Sequence, residues 1–232
     1  MGYIPNIGNT IQKYTFFAFS IDYWYNLIRK EVFQVRETIL EMERYAEANN
    51  IPIIELDSIK FIMKYIKMNN VKTVLEIGTA IGYSAILMAN ATDTVEITTI
   101  EKDEKRYREA VKNVNACGLD KRIEIVYNDA LEVSLTGRKY DLIFIDAAKG
   151  GYIKYFERFC NYLNPGGVII TDNLKFHGLV KDKASIKSKN VRGIVDKIER
   201  YIEFLNNNKD YITKFYDIGD GLSVSFKKNN EK

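Results

Sequence analysis

The chain has 232 residues, 46% hydrophobic and 28% charged, with a formal net charge of +3; these values suit one folded domain, and the charge is too small to argue nucleic-acid binding by itself. Cys117 and Cys160 are far apart and His177 is the single histidine, which excludes a disulfide scaffold and a histidine-rich metal site and points to a reducing compartment with buried thiols. No apolar run approaches the roughly 18 residues of a membrane-crossing helix, and residues 1–10 lack the basic start and apolar core of a secretory signal, so the expected location is the cytoplasm.

Residues 14–28, YTFFAFSIDYWYNLI, are dense in aromatics and hold the only tryptophan. Three readings are open: an amphipathic helix that packs on the body or on a second subunit, a contact with a membrane surface, for which the basic residues are few, or non-native upstream sequence. Packing is favoured because an apolar patch of that size needs covering. Glu31 to Asn49 follows as a helix, with Val32, Val35, Ile39, Met42 and Tyr45 at three-to-four spacing. Asp57 is placed to cap a second helix over Ser58 to Met68. The expected organisation is an aromatic extension over 1–30, helices over 31–70 and a strand–helix domain over 71–228.

That domain opens on VKTVLEIGTAIGYS, Val71 to Ser84. An apolar strand breaks at Gly78, Gly82 follows, and the pattern turns helical from Tyr83. A second strand, Val95 to Ile100, ends at Glu101, 23 residues after Gly78, about where such folds place a carboxylate on ribose hydroxyls. The dinucleotide pattern G-x-G-x-x-G is absent. A single glycine at the turn, with Glu76 at the strand end, suits a ligand with a ribose and a cationic centre better than a diphosphate. S-adenosylmethionine has those features.

Asp103 then caps a charged helix to about Cys117, with Gly118 at its C-terminal side. Arg122 to Tyr127 is a third strand, followed by Asn128-Asp129-Ala130. Tyr140 to Ile145 is a fourth, apolar enough to be buried on both faces of a parallel sheet. It leads into Asp146-Ala147-Ala148-Lys149-Gly150-Gly151 and a helix to about Leu163. Asn164 to Gly167 reads as a turn, Val168 to Thr171 as a fifth strand ending at Asp172-Asn173, and Lys175 to Asn190 as a loop. A helix over Val191 to Asn206 precedes two strands, Tyr211 to Ile218 and Leu222 to Lys228, whose Asp220-Gly221 is a hairpin signal.

The sum is a doubly wound α/β fold, a mostly parallel seven-stranded sheet with a C-terminal antiparallel hairpin. Ligands of such sheets sit beyond the C-terminal strand ends, and those ends carry Gly78, Glu101, Asp129, Asp146, Asp172 and Asn173. Asp146, Asp172 and Asn173 are an all-oxygen set of the kind hard divalent cations take, magnesium above all. Such a cation lowers the pKa of a hydroxyl bound beside it. Lys149, three residues past Asp146, could then act as a base, since a neighbouring cation eases loss of its proton.

These runs resemble a known family. LEIGTAIGYSA, the TIE at Thr99 to Glu101, FIDAAKG at Phe144 to Gly150 and TDN at Thr171 to Asn173 are similar to the metal-dependent O-methyltransferases, the catechol and caffeoyl-CoA group with a Rossmann-like class I fold. YAEANNIPII at Tyr45 to Ile54 and GDGLSVS near the C-terminus resemble most the bacterial tRNA 5-hydroxyuridine methyltransferases of the TrmR type. The similarity runs from about Val32 to Phe226. It implies that Ile54, Ser84, Glu101, Asp129, Ala130 and Asp146 contact S-adenosylmethionine, with Glu101 on the ribose and Asp129-Ala130 on the adenine side. It implies magnesium on Asp146, Asp172 and Asn173, Lys149 as base, and a homodimer. Two positions depart from the pattern of the tRNA enzymes, Gly151 where Gln is frequent and Asn128 where Gly is common.

The acceptor is the remaining question. Residues 175–200 carry eight basic side chains against three acidic ones, +5 in 26 residues, directly after Asp172-Asn173. A basic segment beside the site suits RNA phosphates, and the resemblance to the tRNA enzymes then implies conversion of 5-hydroxyuridine at the tRNA wobble position to 5-methoxyuridine. A catechol or a caffeoyl-CoA-like ester is the alternative acceptor, since every core residue would be shared. No membrane partner is expected.

Overall fold

The computed structural model describes residues 33–176, 178–180, 182, 184 and 186–228. The expectations for residues 1–32, the start of the helix expected from Glu31 included, and for His177, Lys181 and Lys183 lie outside these. Two helices come first, α1 (Phe33–Asn49) and α2 (Leu56–Met68). Strands and helices then alternate: β1 (Thr73–Ile77), α3 (Tyr83–Ala89), β2 (Glu96–Glu101), α4 (Glu104–Ala116), β3 (Ile123–Tyr127), β4 (Tyr140–Ile145), α5 (Tyr152–Phe159) and β5 (Leu163–Thr171). Helix α6 (Lys189–Asn206) leads to β6 (Tyr211–Tyr216) and β7 (Leu222–Lys227).

Among the described residues seven strands form one sheet in the order β3-β2-β1-β4-β5-β7-β6. β1 pairs in parallel with β2 and β4, β2 with β3 and β4 with β5, while β7 runs antiparallel between β5 and β6. The doubly wound sheet with a terminal antiparallel hairpin is therefore as expected. Its cause is visible in the strand residues, which alternate between two buried faces. Val74, Leu142, Phe144 and Ile170 pack with Ile59, Ile62 and Ile66 of α2 and with α3. Leu75, Ile77, Ile143, Ile145 and Ile169 pack with Phe156 and Phe159 of α5 and with Ile198, Tyr201 and Leu205 of α6. Val35, Met42 and Ala46 of α1 belong to the first of these cores.

Several boundaries differ from the sequence reading. Asp57 does not cap α2; the helix begins at Leu56 with Glu55 as N-cap, and Asp57 pairs with Lys60 inside the first turn at 3.5 Å. Val71 is not in β1, because its N–H closes α2 by donating to Ile66 O at 3.0 Å. Asn164 to Gly167 is an extension of β5 rather than a separate turn. A register shift between Tyr140 and Leu142 absorbs it, and Asn164 Nδ2 pins it to Asp141 Oδ1 at 2.8 Å. The helix after Gly151 ends at Phe159, and Cys160–Tyr162 forms a single 3-10 turn. Helix α6 starts at Lys189, two residues early, with Ser188 as its cap. The hairpin strands stop at Tyr216 and Lys227, since Gly221 N already turns back to Ile218 O at 2.9 Å. Of the two thiols Cys117 is buried and Cys160 only partly so; both are free.

Candidate active site

The strand order reverses direction between β1 and β4, the place where an open α/β sheet leaves a crevice at its C-terminal edge. A cavity of about 500 Å³ lies there. It is lined in turn by the ends of β1, β2, β3 and β4, by Ile53 and Ile54 ahead of α2, and by Asn173, Phe176 and Asp220.

The turn after β1 forms the floor. Gly78 N and Thr79 N both donate to Ile100 O, at 3.1 and 3.2 Å. Gly78 has φ +101°, and a Cβ there would stand 2.2 Å from the carbonyl oxygen of Asp146. Only glycine lets β1 and β4 close to this spacing. The turn is tied across the cavity by Glu101. Its Oε2 accepts from Ala80 N at 2.8 Å, and its Oε1 from Lys102 N and Asp103 N at 3.0 and 2.9 Å. One carboxylate thus holds the β1 and β2 turns together while lining the cavity.

Glu76 is placed differently from the other expected site residues. Its side chain is fully buried, behind the floor and not among the lining residues. Oε1 accepts from Ser84 Oγ at 2.5 Å and Oε2 from Thr99 Oγ1 at 2.6 Å. Burial raises its pKa to about 8, against the lowering effect of those two hydroxyls. Ser84 lines the cavity and so connects Glu76 to it.

At the far end, beyond Glu101, stand Lys102, Arg106, Asn128, Asp129, Ala130 and Tyr155. Asp129 Oδ1 accepts from Leu131 N at 2.9 Å, and Lys102 Nζ lies 3.3 Å from Oδ2. These partners, the backbone bond foremost, hold its carboxyl below the usual range despite desolvation. Asn128 uses its side chain to accept from Asp129 N at 2.8 Å, which a glycine at that position would leave undone. Gly151 is explained by Tyr155: a Cβ on Gly151 would lie 2.4 Å from the Tyr155 ring.

At the near end are Asp146, Lys149 and Asn173, with Asp172 buried behind them. Asn173 has φ +62°, a conformation asparagine tolerates better than most residues. Lys149 Nζ donates to Asn173 Oδ1. Asp172 Oδ1 accepts from Asn173 N at 2.7 Å and Ser58 Oγ at 3.3 Å, whereas Oδ2 is buried with no hydrogen-bond partner. Desolvation pushes the pKa of both aspartates up; repulsion from Asp146 adds to the rise at Asp172, and Lys149 opposes the shift at both. A buried carboxylate with an orphaned oxygen, a second, half-buried carboxylate and an adjacent amide oxygen are a donor set for a hard cation. Among the described residues no cluster of three or more His, Cys, Asp or Glu is arranged to hold a metal, so Asn173 is needed to complete any such set.

Ile54, Gly78, Ser84, Glu101, Asp129, Ala130, Asp146, Lys149 and Asn173 therefore meet around one cavity. Sequence reasoning missed Tyr83, Arg106, Tyr155 and Phe176, which line it from helices or a loop and carry no strand-end signal. It assigned Asp220 to the hairpin turn only, yet Asp220 lines the cavity at 4% exposure. No helix among the described residues is long and apolar enough to cross a membrane.

Known proteins share this sequence pattern and fold. A family model described as O-methyltransferase matches residues 32–228. The chain is 27% identical to tapetum-specific methyltransferase 1 of Arabidopsis thaliana, over 82% of this chain and 83% of that one. It is 34% identical to a catechol O-methyltransferase of Niastella koreensis, over 54% of this chain and 60% of that one. Among solved structures, a candidate caffeoyl-CoA O-methyltransferase from Staphylococcus aureus superposes with a TM-score of 0.80 at 37% identity, over 89% of this chain and 98% of that one. An O-methyltransferase from Bacillus cereus, in complex with S-adenosylhomocysteine, gives 0.69 at 28% identity over 83% and 91%. With the model spanning the sheet and every strand end that builds the cavity, this chain belongs to the O-methyltransferase family.

Proposed function

We propose that the chain transfers a methyl group from S-adenosylmethionine to the hydroxyl of 5-hydroxyuridine at the tRNA wobble position, with the help of a divalent cation such as magnesium. The observation that carries the cation is Asp172 Oδ2, buried, without a partner and close to the half-buried Asp146 carboxylate and the Asn173 amide oxygen. Asp146, Asp172 and Asn173 would hold it. When bound, such a cation supplies positive charge that favours the acceptor oxyanion.

The chain's own residues do the rest. Glu101 is oriented by three backbone N–H groups and would bind the ribose hydroxyls. Asp129, Ala130 and Tyr155 would enclose the adenine, which leaves the sulfonium between Gly78 and Asp146. Lys149 Nζ stands against Asn173 Oδ1 and would take the acceptor proton from this side. Holding acceptor oxygen and methyl carbon in line is worth several powers of ten in rate. The basic face supports the RNA reading: Lys187, Lys189, Lys197 and Arg200 are exposed, and Lys197 Nζ lies against the Gly150 turn that follows Lys149. The enzyme would work as a homodimer.

A second reading has its own support. The relatives are named for catechol and caffeoyl-CoA, so a small phenol or a phenolic CoA ester is the alternative acceptor. The experiment is methyl transfer from labelled S-adenosylmethionine with magnesium to tRNA carrying 5-hydroxyuridine, to catechol and to caffeoyl-CoA. Transfer to tRNA alone, lost on chelation, is the expected result. Transfer to the small phenols alone overturns the RNA assignment, and transfer that survives chelation overturns the cation.

A further inference from the structure

Ser58 belongs to α2, outside the strand–helix units that supply the rest of the site. It is fully buried. A buried serine near a helix start more often caps its own helix, but α2 is capped by Glu55 with no side-chain cap bond. Ser58 instead points across to β5 and donates to Asp172 Oδ1 at 3.3 Å. Asn173 N donates to the same oxygen at 2.7 Å. Both donors therefore engage one carboxylate oxygen and leave Oδ2 alone.

The serine is itself held from behind. A Cβ on Gly219 would stand 2.2 Å from Ser58 Oγ, and Gly219 has φ +52°. The turn carrying Gly219 is strapped to the segment after Asn173. Leu174 N donates to Gly221 O at 3.0 Å, Lys175 N to Asp220 O at 2.7 Å and Lys175 Nζ to Gly219 O at 3.3 Å. The Asp172 backbone is fixed as well, since its carbonyl accepts from Tyr152 Oη at 3.0 Å and its N–H bonds Ile145 O at 3.2 Å.

We infer that Ser58 is a positioning residue that locks the Asp172 carboxylate with Oδ2 toward the cation, and that the Gly219 turn keeps Ser58 in place. The inference rests on the cation site proposed above. Partners behind a metal ligand set its orientation, and losing one typically weakens metal binding about 10- to 100-fold. Without Ser58 the carboxylate keeps only the Asn173 N–H and can rotate about its last bond.

The test uses the full chain and two ligands. Manganese affinity is read by electron paramagnetic resonance, and S-adenosylmethionine affinity by calorimetry without metal. Ser58→Ala is expected to weaken manganese about tenfold while S-adenosylmethionine affinity stays within about twofold. Gly219→Ala, which drives a methyl group into Ser58 Oγ, is expected to act in the same direction. Unchanged manganese affinity in Ser58→Ala overturns the positioning role. Parallel loss of both ligands marks a general structural effect and also overturns it. A wild-type chain that binds S-adenosylmethionine but no manganese overturns the cation site itself, and this inference with it.

Discussion

Glu76 shows how far a single residue can depart from its expected part. Its place at the end of an apolar strand suggests cofactor contact, yet its carboxyl is sealed behind the floor by Ser84 and Thr99. With its pKa raised from 4.5 to about 8, it holds a proton in the folded state that the unfolded chain releases above about pH 4.5. The folded state binds the extra proton between those values, so stability from this group is complete at low pH and lost as pH rises toward 8. Glu76→Gln should remove that slope. In urea unfolding, the stability difference between variant and wild type should move in favour of the variant by up to about 3 kcal/mol between pH 5.5 and 7.5. A difference constant over that range would mean that Glu76 is ionised in the fold. Under the proposed function Asp146 would hold the cation. Asp146→Ala should lower transfer by on the order of 10³-fold in the labelled-methyl assay, and full activity of that variant at low metal would sink the cation assignment.

At the scale of elements, glycines decide how closely the turns approach. Gly78→Ala would face both a left-handed backbone and a contact of 2.2 Å with Asp146 O. The expected cost is about 2–4 kcal/mol in unfolding free energy, with S-adenosylmethionine affinity reduced at least about tenfold because the floor moves. Equal affinity by calorimetry would show that the floor is not part of the cofactor site. Gly151 is a different case, because its φ is ordinary at −100° and space alone constrains it. Gly151→Gln must displace the Tyr155 ring, and weaker S-adenosylmethionine binding with little change in manganese affinity is expected. Asn128 and Gly151 are the two departures from the tRNA-enzyme pattern; Asn128 lines the cavity beside Asp129, and Gly151 abuts the Tyr155 ring that lines it.

On the scale of the whole molecule, the relevant feature is a basic face beside the near end. Contacts between lysine and phosphate release counterions, so RNA affinity falls with salt by about 0.7 of a log unit per contact per log unit of salt. Replacing Lys187, Lys189 and Arg200 with Gln should raise the KM for tRNA about tenfold at low salt and flatten its salt dependence. The effect on a small phenol should be much smaller. Equal effects on both acceptors would remove the face from tRNA binding.

The strand–helix order, the parallel sheet and the rim of Gly78, Glu101, Asp129, Asp146, Asp172 and Asn173 were all legible in the chain. Apolar runs of five or six residues, each ending in a glycine or a short polar residue, are local patterns, and a doubly wound sheet gathers strand ends on one edge whatever its side chains do. Residues on helices and in the hairpin were not legible as site residues. Ser58, Tyr155 and Asp220 read locally as helix or turn positions, and only packing brings Ser58 to Asp172 and Tyr155 and Asp220 to the cavity. Glu76 was legible as a strand-end carboxylate, but its burial depends on Ser84 and Thr99, 8 and 23 residues away. Sequence by itself determined the class of fold and which oxygen-bearing residues stand at the strand ends. Tertiary structure decided which carboxylate oxygens are already engaged, because Ser58 and Ala80, the partners of Asp172 and Glu101, come from other parts of the chain.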